Sequence, residues 1–103
     1  MTTDAELLHR YVDDSSEVAF TEFVQRHIGL VYSAALRRVG HDAHLAEDVA
    51  QKVFTDLARK AAQLTNHPTL TGWLYRSTRY VAIDVMRIEQ RREKLVQTLT
   101  TMR

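Results

Sequence analysis

Arginine recurs along one side of the C-terminal third of the sequence, together with an aromatic and an aliphatic residue. At ~100° per residue, the following side chains share an arc of about 120° on a helix: Arg76, Arg79, Tyr80, Ile83, Arg87, Gln90 and Arg91. Guanidinium groups one turn apart match successive phosphates, and a tyrosine ring can stack on an unpaired base. The pattern predicts a nucleic-acid-binding face. The alternative is a solvated face, because Asp84, Glu89 and Glu93 are close enough for ion pairs with Arg87, Arg92 and Lys94.

A second polar face is predicted on a helix that follows Asp42. Opposite its apolar positions lie Glu47, Asp48, Gln51, Thr55 and Arg59, with Lys52 beside them. Glu47 and Asp48 are adjacent, so their carboxylates point ~100° apart and do not face one another as a general acid and base would need. The face is therefore expected to be solvated or docked on a partner.

Other chemistry finds little support in the sequence. It has no glycine-rich phosphate loop, no activated serine or cysteine nucleophile and no HExxH motif. His41, His44 and Glu47 are neighbours in sequence, but His41 precedes the expected helix cap and a fourth metal ligand is missing. We therefore expect neither catalysis nor a cofactor.

Composition favours one small helical domain. The 103 residues include no cysteine, three glycines and one proline, which are too few turn formers for a sandwich or barrel of short strands. Hydrophobic residues make up 45% and charged residues 26%, which excludes wholesale disorder. The absence of cysteine excludes a disulfide scaffold. No apolar run is long enough to span a membrane, so we expect a cytoplasmic protein.

Charge is distributed unevenly along the chain. Residues 1–68 carry ten acidic and seven basic residues, a net charge of −3, whereas residues 69–103 carry three acidic and seven basic residues, a net charge of +4. The split indicates two surfaces with different partners, of which the basic one suits phosphate.

Periodicity and capping residues predict an all-α fold, a compact bundle of about four helices. Side chains suited to an N-cap precede each helix: Thr3 for the first, Ser15 or Ser16 for the second, Asp42 for the third, and Thr69 or Thr71 for the fourth. The first helix is expected to end near Asp13. The second should end at Val39, with Gly40 as its stop.

The only substantial loop is predicted over residues 65–72, which are rich in turn formers. The fourth helix is then expected to start around Trp73. Helical periodicity is lost from Gln97 to Met102. We therefore predict a domain over residues 1–92, with residues 93–103 forming the start of a linker or a frayed helix end.

Two helices have clear candidate core stripes. The third is expected to bury Ala46, Val49, Ala50, Val53, Leu57, Ala61 and Leu64, and the fourth Leu74, Thr78, Val81, Val85 and Ile88. His27 lies on the apolar side of the second helix, and we interpret it as a hydrogen-bonded packing residue. Trp73 is likewise expected to pack against the core.

Two separated motifs resemble a known family. The runs AEDVAQKVF, from Ala46 to Phe54, and GWLYRSTRYVAIDVMR, from Gly72 to Arg87, are similar to region two of bacterial RNA polymerase sigma factors of the extracytoplasmic-function group. Further similar residues are Leu7, Leu8, Tyr11, Ala19, Phe20, Arg26, His27, Val31 and Tyr32. The resemblance spans roughly residues 4 to 92 and implies an all-helical domain that directs core RNA polymerase to promoters.

The resemblance also implies a docking site. Asp48 and Gln51 match the part of the family that docks on the clamp-helix coiled coil of the largest polymerase subunit. The predicted polymerase-binding residues are Glu47, Asp48, Gln51, Lys52 and Thr55. The sequence departs from the family pattern at Lys52, where an acidic residue is common.

By the same resemblance, the loop from Leu64 to Thr71 and the fourth helix hold the non-template strand of the promoter minus-ten element, with one base flipped into a pocket formed largely by the loop. The predicted DNA-binding residues are Asn66, His67, Thr69, Thr71, Arg76, Arg79, Tyr80, Ile83, Arg87 and Arg91. The loop supplies donors and acceptors for a base edge, and the arginines neutralise phosphates. Melting is then capture of the unpaired strand, and this module needs no ATP or metal.

The sequence is also compatible with alternative functions and partners. A regulatory, protein-interaction domain that keeps the sigma fold without DNA capture is the alternative function, and an anti-sigma factor is a further candidate partner. A duplex-binding repressor is disfavoured, because Ile83 lies in the middle of the basic stripe. Nothing in the sequence corresponds to the second, helix-turn-helix domain of complete family members. We expect a piece of a longer protein or a naturally short variant, and the aperiodic end favours the former.

Overall fold

The computed structural model describes residues 1–102, and these residues form four helices without strands. The helices are α1 (Asp4–Asp14), α2 (Glu17–Arg38), α3 (Ala43–Leu64) and α4 (Leu70–Thr101). They pack as an all-α bundle, which confirms the predicted fold class. Within the described residues no helix is both long enough and apolar enough to cross a bilayer.

The first three helices begin at the predicted caps. The hydroxyls of Thr3 and Ser16 and the carboxylate of Asp42 each accept a hydrogen bond of 3.1 Å from the backbone N–H three residues later. These bonds satisfy amides that have no partner within the helix. Gly40, just after α2, has a φ of +66° and forms the predicted stop.

The start of α4 differs from the prediction. Its first residue is Leu70, not Trp73, and the connecting loop is therefore only residues 65–69. Leu70 is buried, so its contribution to the core favours an earlier helix start. Gly72 falls within the first turn, and even in a helix interior a glycine costs only about 1 kcal/mol relative to alanine. Thr69 is the N-cap, but its side chain makes no capping hydrogen bond.

The core lies where all four helices meet. Its largest fully buried side chains include Leu7 and Leu8 of α1, Phe23 of α2 and Leu57 of α3. Every apolar residue predicted for the α3 stripe is buried. Phe54 is buried as well, although the sequence analysis did not assign it to the stripe.

The inner face of α4 is shifted slightly from the predicted stripe. Leu74, Thr78 and Val85 are buried as expected, whereas Val81 is half-buried and Ile88 is 58% exposed. Ala82 is buried instead. Leu70, eighteen residues earlier, occupies the same position on the helical wheel and is buried. Ile88 is exposed because of its place along α4, next to residues 90–102, which are all exposed. The prediction that Ile88 belongs to the core was therefore wrong.

The C-terminal part of α4 extends beyond the bundle. The helix continues without interruption to Thr101, so the residues after Gln97 are helical as far as Thr101 although their apolar periodicity is lost. Arg103, the last residue of the predicted linker or frayed helix end, lies outside the described residues. Residues 91–102 are all exposed, and the protein measures 60 × 22 × 21 Å. Threonine hydroxyls at positions 98, 100 and 101 each donate to the carbonyl four residues earlier. A domain boundary at residue 92 stays a prediction.

Both residues interpreted as packing residues have that role. The Nε2 atom of His27 lies 2.8 Å from Oδ2 of Asp4, and its ring centroid is 4.6 Å from that of Phe23. Arg26 adds a hydrogen bond of 3.3 Å to the other carboxylate oxygen of Asp4. These contacts join the start of α1 to α2. Trp73 is partly buried and packs against the core.

Candidate nucleic-acid and protein-binding surfaces

The arginine face of α4 is open to solvent. It consists of Arg76, Arg79, Tyr80, Ile83, Arg87, Gln90 and Arg91, and every one of these residues is exposed. Tyr80 is 64% and Ile83 42% exposed, so neither is placed there by core packing. Large apolar side chains within a basic surface are typical of binding sites.

The arginines are nearly unpaired within the protein. Among residues 1–102, the one ion pair on this face joins Arg87 Nη1 to Asp84 Oδ1 at 3.7 Å, and the two side chains are 61% and 69% exposed. Such a pair contributes between roughly 0 and 1 kcal/mol. The pairing with Glu89 and Glu93 that a merely solvated face would use is absent from the described residues. The face is therefore a cationic surface that anions can reach.

The loop at residues 65–69 lies at the N-terminal end of the arginine face. Asn66 and Thr69 are exposed and His67 is half-buried. The backbone N–H of Thr69 donates to Nδ1 of His67 at 3.1 Å, so a neutral His67 carries its proton on Nε2 and presents a donor there. A Cβ atom at Gly72 would lie 3.3 Å from Oγ1 of Thr69, a tight contact that the threonine side chain would have to relieve by a few tenths of an ångström.

Thr71 does not belong to the loop, in contrast to the prediction. It lies in the first turn of α4, where it is exposed. The helix places it one turn before Tyr75, on the side of α4 that adjoins α2: Thr71 and Tyr75 line a small cavity there with His27 and Val31. The polar loop therefore offers Asn66, His67 and Thr69 as its hydrogen-bonding groups.

The polar face of α3 comprises the five predicted polymerase-binding residues, which are Glu47, Asp48, Gln51, Lys52 and Thr55. Asp48 is half-buried and the other four are exposed. The Thr55 hydroxyl donates to the carbonyl of Gln51 at 2.7 Å. None of the five side chains forms an ion pair within residues 1–102.

An apolar groove adjoins this polar face. It has a volume of about 610 Å³ and runs between α2 and α3, with Glu47, Gln51 and Thr55 among its lining residues. Its apolar lining is formed by Phe20, Val24, Ile28, Tyr32, Ala50, Phe54 and Ala58. A hydrophobic groove with a polar border suits the apolar side of a helix from another protein.

The two surfaces share an edge. A groove of about 640 Å³ between α3 and α4 is lined by Gln51, Lys52 and Thr55 from one surface and by Arg87 and Arg91 from the other. Members of both sets of predicted site residues thus meet at this groove. Their proximity depends on how the helices pack, and the sequence motifs alone did not reveal it.

The structure adds two basic residues that the sequence analysis did not assign to any surface. Arg37 and Arg38, in the last turn of α2, line a groove together with Ile83, Arg87 and Gln90 of the arginine face. The signal in the sequence was the adjacent pair of arginines before Gly40. The two arginines adjoin the arginine face only because α2 packs against α4.

Within the part of the chain that the structure describes, no group of three His, Cys, Asp or Glu side chains is arranged to hold a metal ion.

Comparison with known proteins gives one match. The family model for sigma-70 region 2 matches residues 23–92, whereas no curated protein and no solved structure matches the chain. The matched segment contains most of α2, all of α3, the loop and the packed part of α4. Both candidate surfaces therefore lie inside it.

Proposed function

Because the chain belongs to the sigma-70 region 2 family, we propose that it docks on the clamp helices of core RNA polymerase and captures the unpaired non-template strand of the promoter minus-ten element. Sigma-70 region 2 is a part of sigma factors that is involved in transcription initiation and promoter melting. The family interacts with core polymerase and promoter DNA and is not enzymatic. Membership of the extracytoplasmic-function group remains a prediction.

The observation that carries the proposal is the exposed arginine face beside a polar loop. From Arg76 to Arg91 the helix rises about 22 Å, a length that about six nucleotides cover where the strand keeps the duplex rise of ~3.4 Å per nucleotide, and fewer where it is unstacked. Guanidinium groups along this length can each bind a phosphate. Because no acidic partner neutralises Arg76 or Arg79 within the described residues, their charge is free for this role.

Tyr80 and the loop can bind the bases of a single strand, in addition to its phosphates. An exposed aromatic ring stacks on an unpaired base with roughly 1–3 kcal/mol per base. At the loop, Asn66 has both donor and acceptor atoms, and Nε2 of His67 offers a donor, so the edge of a flipped base has hydrogen-bonding partners. These groups bind a base only after it has left the duplex.

Melting then follows from differential affinity. A surface that binds the separated strand and not the paired one shifts the equilibrium towards opening by the difference between the two binding free energies. The stacking and phosphate contacts offset the cost of unpairing an A·T-rich step. The domain needs no cofactor for this step, and nucleotide addition belongs to the polymerase.

Docking on polymerase is assigned to the α3 polar face and its apolar groove. The groove between α2 and α3 accepts the apolar side of a partner helix, while Gln51 provides a polar contact at its border and Asp48 one on the adjoining polar face. Since this surface and the arginine face share an edge, a docked polymerase would leave the DNA-binding face open immediately beside it.

Binding of single-stranded and duplex DNA by the chain in complex with core polymerase tests strand capture. The probe is an A·T-rich oligonucleotide, either single-stranded or paired, followed by fluorescence anisotropy. We expect the complex to prefer the single strand. The double substitution Arg76→Ala and Arg79→Ala should lower the affinity roughly 20-fold at 0.1 M salt, because each lost phosphate contact reduces the slope of log affinity against log salt by about 0.7. Arg10→Ala, at an exposed arginine of α1, is the control and should have no effect.

Polymerase binding is measured in the same samples. The double substitution Asp48→Ala and Gln51→Ala should weaken binding to core polymerase, whereas Gln63→Ala, at an exposed glutamine near the end of α3, should not. If the Arg76 and Arg79 variant binds both polymerase and single-stranded DNA as the unmodified chain does, strand capture through this face is wrong. The regulatory, protein-interaction function would then be the better account.

A further inference from the structure

We infer that the groove between the end of α2 and the outer side of α4 binds the sugar–phosphate backbone of DNA that adjoins the captured bases. This inference rests on the proposed function and extends its DNA-binding site to a second helix. The groove has a volume of about 530 Å³, and guanidinium groups border it on both sides, from Arg37 and Arg38 on α2 and from Arg87 on α4.

The lining of this groove matches the chemistry of a nucleic-acid backbone. Ala82, Ile83 and Met86 provide its apolar part and Gln90 adds an amide, while no acidic residue lines it. Guanidinium groups bind phosphate oxygens with charge-assisted, often bidentate hydrogen bonds. The apolar part suits the carbon atoms of deoxyribose. An acidic protein would meet the same charge, but the continuity of the groove with the arginine face, through Ile83 and Arg87, favours DNA.

A simpler role for Arg37 and Arg38 explains only part of the arrangement. Basic residues in the last turn of a helix interact favourably with its dipole, and both arginines lie in the last turn of α2. The dipole does not require them to border a groove that also contains an arginine of α4. Both are exposed, and neither forms an ion pair within residues 1–102.

The position of the groove identifies the part of the DNA that it would contact. Arg87 lies eleven residues after Arg76, which corresponds to about 16 Å along the helix. At ~3.4 Å per nucleotide, the groove is roughly five nucleotides from the loop end of the arginine face. A contact there is with backbone phosphates, so its contribution should be the same for every base sequence.

The test uses the complex of the chain with core polymerase and an A·T-rich duplex that contains an unpaired segment. We expect the double substitution Arg37→Ala and Arg38→Ala to reduce the slope of log affinity against log salt by about 1.4, and to lower affinity roughly 20-fold at 0.1 M salt. Arg37→Lys with Arg38→Lys should retain most of the slope, and Arg10→Ala all of it. Circular dichroism and thermal unfolding check that each variant is folded.

Two further measurements test the groove without depending on the arginine substitutions in α2. Gln90→Glu adds a carboxylate to the groove from α4 without changing either arginine, and it should weaken DNA binding. Because Gln90 also belongs to the arginine face, the loss supports the groove only if it is smaller in the Arg37 and Arg38 variant than in the unmodified chain. Neutral methylphosphonate linkages, placed one at a time along the unpaired strand, should weaken binding by the unmodified chain at linkages about five nucleotides from the phosphate that Arg76 contacts. At those linkages the Arg37 and Arg38 variant should show no further loss.

The outcomes separate this inference from the proposed function. If the Arg37 and Arg38 variant and Gln90→Glu keep the full salt dependence while Arg76→Ala with Arg79→Ala loses it, the groove does not bind DNA and the proposed function stands. If the groove variants lose polymerase affinity with unchanged DNA binding, the groove binds protein and the inference is overturned. If neither pair of arginines affects DNA binding, both proposals fail.

Discussion

The two sides of α4 differ in how their side chains are satisfied. On the inner side, Leu74 and Ala82 are buried, and the hydroxyl of Thr78 donates to the carbonyl of Leu74 at 2.7 Å. On the outer side, Arg76 and Tyr80 are exposed and have no side-chain partner among the described residues. Core packing therefore explains which residues lie on the inner side. The proposed DNA binding accounts for the composition of the outer side, and substitutions on the two sides should affect different properties.

The largest effect is expected on the inner side. Leu74→Ala should lower the free energy of unfolding by about 2–5 kcal/mol, because it removes a buried side chain and leaves a cavity. Urea or thermal unfolding measures this loss. Tyr75→Ala, at the next residue, is the control, since Tyr75 is 46% exposed. Equal losses for the two variants would mean that α4 is packed on a different side from the one described.

An intermediate effect is expected on the outer side, in binding and not in stability. Tyr80→Ala should weaken binding of single-stranded DNA by roughly 1–3 kcal/mol through the loss of one stacked base, while unfolding changes by less than about 0.5 kcal/mol. Tyr80→Phe keeps the ring and should bind almost normally. If Tyr80→Phe is as weak as Tyr80→Ala, the contact is made by the hydroxyl and stacking is refuted.

A still smaller effect, on the free energy of unfolding, is expected at Ile88, which lies between the inner and the outer side. Ile88→Ala should change the free energy of unfolding by less than about 1 kcal/mol, because Ile88 is 58% exposed. Val85→Ala, one turn earlier at a buried position, should cost about 1.5 kcal/mol or more from two lost methyl groups. A larger loss at Ile88 than at Val85 would show that the inner side continues towards the C-terminus.

Much of the fold could be predicted from the sequence because it depends on local chemistry. Thr3, Ser16 and Asp42 were identifiable as caps from their side chains and the residues that follow, and the apolar period of α3 fixed its buried side. For α4, Thr69 was one of the two predicted caps, but the expected start around Trp73 was too late. Gly72 and the polar stretch before it indicate a loop, and only burial of Leu70 by the other helices extends α4 to that residue.

Prediction of the candidate site from the sequence has the same limit, because it does not extend to contacts between helices. Periodicity sufficed to place Arg76, Arg79 and Tyr80 on one exposed face, and family resemblance added Asp48 and Gln51. The pair Arg37 and Arg38 could not be connected to that face from the sequence, because α2 meets α4 only through tertiary packing. Similarly, the shared edge of the two surfaces is visible only in the folded structure.

The central claim is that the outer side of α4 contacts the unpaired strand while the domain is docked on polymerase. Site-specific photo-crosslinking tests it most directly, with Tyr80→benzoylphenylalanine in a complex of the chain, core polymerase and DNA with an unpaired segment. Tyr75, about 140° away around the helix, receives the same substitution as the control. We predict a crosslink from position 80 to the unpaired non-template strand and none from position 75. A crosslink from position 80 to polymerase alone, or to both DNA strands equally, would contradict the account.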